Sequence, residues 1–179
     1  MLEIDISETE MWDESSEQFI RVRPQKLVLE HSLISLNKWE SKYMKPFLNS
    51  EKSGEELLDY IKCMTMTPNI DDSVYRCLTS DDIIKINDYI NHPMTATTFH
   101  DQGKRGGGEK VVTAELIYYW MIALQIPFEC QKWHLNKLLT LIRVCNIKSQ
   151  PPKKMSKNQI MSRNQALNKA RRAKLNSKG

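Results

Sequence analysis

The run Thr113-Ala114-Glu115-Leu116-Ile117-Tyr118-Tyr119-Trp120-Met121-Ile122-Ala123-Leu124-Gln125-Ile126-Pro127, continued by Phe128-Glu129-Cys130-Gln131-Lys132-Trp133-His134-Leu135-Asn136-Lys137-Leu138-Leu139-Thr140-Leu141-Ile142, decides the fold. Its apolar residues recur at helical spacing, and no period-two alternation competes with it. Thr113 can cap a helix running to about Gln125, with Leu116, Ile117, Trp120 and Leu124 along one face. Pro127 breaks that helix. A second helix is expected from about Glu129 to Ile147, carrying Trp133, Leu135, Leu138, Leu139, Ile142 and Cys145. The short link around Pro127 predicts an antiparallel or sharply angled helix pair.

Working outward, residues 91–110 have no periodicity and end in Gly103-Lys104-Arg105-Gly106-Gly107-Gly108, a flexible connection by composition. Before it, residues 32–90 read as helices. Leu33, Leu36, Trp39, Tyr43 and Met44 predict a helix from about Ser32 to Met44, ending ahead of Pro46. Ser53-Gly54-Glu55-Glu56 forms a capping box, because the Ser hydroxyl can accept from the third helical N–H while Glu56 reaches back. The helix it opens carries Leu57, Leu58, Ile61 and Met64 on one face. A short helix follows over Asp72–Leu78. Another opens at Ser80-Asp81-Asp82, with Ile83, Ile84, Ile86 and Ile90 apolar. The first thirty residues are strand-like: Leu2–Ile6, Phe19–Arg23 and Leu27–Glu30 predict a small antiparallel sheet, with Trp12 to Ser16 as its first turn. The expected fold class is therefore α+β and mainly α-helical. Small N-terminal antiparallel strands precede a helical body (1–147) and a basic C-terminal tail (148–179).

Charge divides along the same line. Residues 148–179 hold ten of the 26 Lys and Arg and none of the 22 Asp and Glu. The body thus carries 16 bases against 22 acids, a net of −6, while the tail is +10. Such an arm suits an acidic protein or a nucleic acid, or else serves as a solvated extension. Ser156-Lys157-Asn158-Gln159 is a second capping-box candidate. It would start a polar helix to about Lys174 whose narrow apolar stripe is Ile160, Met161, Ala166 and Leu167.

Several function classes find no support in these residues. No stretch approaches the ~18 consecutive apolar residues of a membrane-spanning helix. Met1-Leu2-Glu3-Ile4-Asp5 is acidic, so no secretory leader is expected. The cysteines, Cys63, Cys77, Cys130 and Cys145, are too scattered to read as a disulfide framework. Cys130 and His134 would share a helix face, yet no further pair such as C-x-x-C completes a zinc site. No metal or cofactor is expected. The glycine-rich loop lacks the strand before it and the Gly-Lys-Ser/Thr opening of a phosphate-binding helix. No nucleophile motif places Ser, Cys or His together, so no catalytic residue is assigned. His92 and His100 read as loop histidines, and the paired carboxylates Glu55-Glu56, Asp71-Asp72 and Asp81-Asp82 as helix-start charges. The tail has no aromatic residue for stacking bases, which argues against specific reading of nucleic acid. The aromatic cluster Tyr118, Tyr119, Trp120, Phe128 and Trp133 is dense. Three consecutive aromatics cannot share one helix face, so some cover the core and another is left for self-association or a partner.

The block Ile117–Ile142 resembles proteins of bacteriophages with long non-contractile tails. So do Pro151-Pro152-Lys153-Lys154-Met155-Ser156 and the ending Asn168–Gly179 with Arg171-Arg172. Leu29-Glu30-His31-Ser32-Leu33, Lys38-Trp39-Glu40-Ser41 and Pro93-Met94-Thr95-Ala96-Thr97-Thr98-Phe99 are similar to the same group. Among these proteins the tail assembly chaperones are the class the chain resembles. The resemblance implies a small, mostly helical, non-enzymatic protein of the host-cell cytoplasm. It would coat the tape measure protein, help recruit tail tube subunits, and be absent from the mature virion. Many such chaperones are made in two lengths by a ribosomal frameshift. A groove on the 113–147 pair, tested at Tyr119, Trp120, Trp133 and Leu139, would hold the partner. Lys153, Lys154, Arg171 and Arg172 would serve the arm. A structural virion protein (tail completion or head–tail connector) and a small nucleic-acid-binding phage protein are the other classes considered.

Overall fold

The computed structural model describes residues 1–13, 17–99, 111–149 and 157–175. The glycine-rich segment 103–108, His100, the Ser156 cap, Lys153 and Lys154 lie outside these. The architecture is α+β and mainly α-helical, with antiparallel strands at the N-terminus and a helical body after them.

Four strands, not three, open the chain: β1 (Leu2–Ile6), β2 (Thr9–Asp13), β3 (Gln18–Val22) and β4 (Gln25–Leu29). β1 pairs antiparallel with β4, and β2 with β3. Both ladders keep one register, from Leu2↔Leu29 to Ile6↔Gln25 and on from Thr9↔Val22 to Asp13↔Gln18. This is one long hairpin, interrupted where Ser7 and Glu8 face Arg23 and Pro24. Pro24 has no N–H to give to a ladder, which accounts for the break. Trp12, expected in a turn, is a strand residue packed edge-to-face on Phe19 across the ribbon at 5.1 Å. The near half of the ribbon is the buried half. Ile4, Ile6, Leu27 and Leu29 point into the core, while Glu3 and Asp5 alternate outward. The outer edge of β4 is covered by residues 64–67. Glu30 N–H donates to the Met64 carbonyl at 2.9 Å, and Met66 N–H to that of Val28 at 2.8 Å.

α1 (Leu33–Tyr43) is the hub of the body. Leu33, Leu36 and Trp39 on its inner face are fully buried. Ser32 and Ser35 form its capping box, and Met44 closes it in the left-handed conformation (φ 54°). α2 (Gly54–Met64) packs on α1, and Trp39 Nε1–H donates to the Glu56 carbonyl between them at 2.8 Å. The Ser53 and Glu56 box at its start is made in both directions. Ser53→Ala is expected to cost about 1 kcal/mol by freeing the Glu56 N–H, measured as a shift in the urea midpoint. After α3 (Asp72–Arg76), α4 (Ser80–Asn91) opens at Ser80 as expected, and Thr79 before it is the cap, closing a box with Asp82.

The expected C-terminal helix pair is corrected in two ways. α5 (Ala114–Ala123) makes its main contacts with α1, burying Ala114, Ile117 and Met121. The second helix does not begin at Glu129. Phe128–Lys132 is a 3-10 turn, Trp133 is extended, and α6 (Leu135–Ser149) starts after His134. The cause is tertiary: His134 bridges Ser32, and Leu135 N–H donates to the His31 carbonyl at 2.7 Å. The chain divides into two compact units, Met1–Asn146 and Ile147–Gly179. The second contains α7 (Lys157–Leu175), none of whose residues is buried.

Candidate partner-binding surface

The capping boxes of α2 and α4 fix where these helices begin, and so which residues face each other. Leu57, Leu58 and Ile61 on α2 meet Ile83, Ile86 and Ile90 on α4 across a cleft of about 240 Å³. Asn87 is the one polar side chain on its α4 wall. The cleft opens to solvent at Leu57, which is 41% exposed, while Ile86 at its depth is 1% exposed. Tyr60 lines it from the core side. That ring is stacked on Phe47 with centroids 3.9 Å apart, and Phe47 meets Trp39 edge-on at 5.0 Å. A cavity of this size takes one or two large apolar side chains, and its aromatic floor is rigid.

A second apolar feature lies on α5 and the 3-10 turn. Tyr119 (63% exposed) and Ile122 (62%) stand one helical turn apart. Tyr118 adjoins Ile122 on the helix and lies against Phe128, with ring centroids 6.4 Å apart. Its hydroxyl donates to Gln131 Oε1 at 2.9 Å, which anchors the patch.

The residues chosen from sequence are therefore not gathered in one groove. Tyr119 is on the α5 patch. Trp120 and Leu139 are partly buried against the core. Trp133 lines a different, more polar cavity of about 310 Å³ with Met1, Glu30, Tyr89 and His134, and Lys137 Nζ sits 4.5 Å from its ring centre. Arg171 and Arg172 are exposed on α7. Both walls of the α2–α4 cleft are legible in the sequence as apolar helix positions, which by themselves do not tell a covered face from an open one. The signal that separates them, Leu57 remaining open, is a property of packing.

Behind the cleft floor runs a buried polar network. Tyr60 OH lies 2.6 Å from His31 Nδ1. The His31 ring meets His134 edge-on at 5.1 Å. His134 Nε2 donates to the Tyr89 carbonyl at 2.9 Å, and its Nδ1 accepts from Asn136 N–H at 3.3 Å. A carbonyl only accepts and a backbone N–H only donates, so His134 is held as the neutral Nε2–H tautomer. Tyr89 OH donates to Glu30 Oε1 at 2.9 Å. Burial, with His134 beside it, pushes the His31 imidazole down to about 3. Burial also lowers His134, and it raises the Tyr60 and Tyr89 hydroxyls. These groups are spent on one another, an arrangement suited to holding β4, α1, α2 and α4 in place. Among the described residues no group of three His, Cys, Asp or Glu is placed to hold a metal ion, and no helix is long and apolar enough to cross a membrane. Cys63 and Cys130 have thiols raised by burial, the opposite of what a nucleophile requires.

Comparison with known proteins finds no family model that matches the chain, and no curated protein or solved structure significantly similar to it.

Proposed function

We propose that this protein is a non-enzymatic tail assembly chaperone of a bacteriophage with a long non-contractile tail. It acts in the host-cell cytoplasm, binds the tape measure protein, and helps recruit tail tube subunits. The resemblance carried by Ile117–Ile142 and the Pro-Pro-Lys-Lys and Arg-Arg stretches supplies the class. The observation that supports it most is the cleft between α2 and α4, which is apolar, concave and open at Leu57. A tape measure protein is a long helix that must be kept soluble before the tube forms around it. Leu or aromatic side chains at helical spacing would enter such a cleft one or two at a time. Each anchor buried this way contributes about 1.5–3 kcal/mol, enough to hold when several copies bind along one helix yet weak enough singly to release. The exposed α5 patch offers a second apolar contact.

Co-expression tests this reading. The protein is expected to raise the soluble fraction of the tape measure protein, and Leu57→Asp to abolish that gain. Because Leu57 is partly exposed, the variant is expected to fold. No gain in solubility with the unaltered protein, or an undiminished gain with Leu57→Asp, would count against the cleft. Stoichiometric copies in purified particles would count against a transient helper.

A further inference from the structure

The 19 residues of α7 include six Lys or Arg and no Asp or Glu, and every one of them is exposed. A helix with so thin an apolar stripe, none of it buried, has little reason to persist on its own account. What distinguishes this one is how its charge is arranged. Residues advance by about 100° per position along an α-helix. Lys157 and Arg171 therefore fall on one side, Lys169 and Arg172 on a second, and Arg163 and Lys174 on a third. A helix built to lie on a flat acidic protein surface would gather its bases on one face and leave an apolar stripe to bury. In α7 the large apolar residues Ile160, Met161, Leu167 and Leu175 are all exposed, and Lys157 and Arg171 fall among them on the helix. Whichever side faces inward, the other two carry positive charge.

That distribution fits an occupant with negative charge on both flanks of a slot the width of a helix. We propose that α7 lies in the major groove of double-stranded DNA, as a contact to the phosphate walls without sequence preference. The major groove is about 12 Å wide and admits an α-helix, whereas the A-form RNA groove is too narrow for side chains to work in. α7 is about 28 Å long, close to one turn of the duplex. Asn158, Gln159, Asn164, Gln165 and Asn168 supply short amide groups that can meet base edges of any sequence. No aromatic residue lies on the helix, so unpaired strands gain no stacking. This inference rests on α7 alone and is independent of the tape measure reading.

The test uses the full chain and fluorescence anisotropy with a labelled mixed-sequence DNA duplex. With about four of the six bases reaching phosphates, affinity should fall roughly 100-fold between 50 and 200 mM salt. The variant R163Q/K169Q/R171Q/R172Q should bind markedly more weakly and lose most of that salt dependence. Its thermal unfolding should stay unchanged, because α7 buries no side chain. Single-stranded DNA, duplex RNA and polyglutamate are run alongside. Weaker binding to all three supports the groove. Equal or tighter binding to any of them overturns it, as does an absence of duplex binding at 50 mM salt or a variant that binds as well as the parent.

Discussion

Replacing Glu40 by alanine is expected to destabilise the folded body by about 3–5 kcal/mol, the sum of two lost hydrogen bonds to a charged acceptor. Glu40 is 7% exposed on the last turn of α1. Its Oε1 accepts from Phe47 N–H and its Oε2 from Ala114 N–H, both at 2.7 Å. One carboxyl thus fixes both the chain just after α1 and the first residue of α5, the latter 74 positions from Glu40 in sequence. Alanine leaves both N–H groups buried without an acceptor. Glu40→Gln keeps one oxygen but turns an amide N–H toward a backbone N–H, and is expected to cost on the order of 2 kcal/mol. Ser41→Ala, next to it and exposed, should be nearly neutral. Urea unfolding of the three variants at pH 7 checks the order. Equal midpoints for Glu40→Ala and Ser41→Ala would show that the staple contributes nothing.

Acidification is the second large effect. His31 ionises near 6.5 in an unfolded chain and near 3 when folded. The unfolded state therefore binds more protons throughout that window. His31 leaves stability intact above about pH 6.5, and stability falls as pH drops from there toward 3. The loss from His31 is about 1.4 kcal/mol per pH unit once below the unfolded value, hence about 2 kcal/mol between pH 6.5 and 5. His134, also lowered, adds to it in the same direction. Carboxylates enter later. Lys45 holds Glu56, and Lys42 holds Asp59, below the usual carboxylate range, so their contributions are lost only at lower pH. Urea midpoints at pH 7, 6 and 5 read the histidine window. His31→Gln, which keeps a partner for Tyr60 OH, should flatten much of the slope. A parent protein equally stable at pH 7 and 5 would refute the coupling.

Local signals accounted for much of the architecture. Ser53 and Glu56 announce α2, Leu33, Leu36 and Trp39 announce the inner face of α1, and Pro127 the end of α5. Each depends on residues within a turn or two, where capping and periodicity act. β2 escaped because Thr9-Glu10-Met11-Trp12 buries only part of one side chain, Met11, so its alternation is faint. The second C-terminal helix was read as starting too early because Glu129–Lys132 is locally helical. What stops it is a distant strand-like link, His31 and Ser32, competing for the backbone of 134 and 135.

The sequence by itself determined the order of the helices, the strand character of the first thirty residues, the acidic body and the cationic arm, and the apolar stripes. Hydrophobic period, capping chemistry and charge are all short-range properties of a chain. Tertiary structure decided which stripes are covered. It made α1 the hub instead of the α5–α6 pair, left the α2–α4 seam open at Leu57, and drew Glu30, His31, Glu40, Tyr89 and His134 into buried contacts. Those outcomes depend on which distant surfaces meet and how completely they exclude water, and residues far apart in the chain settle that only once the body has closed around them.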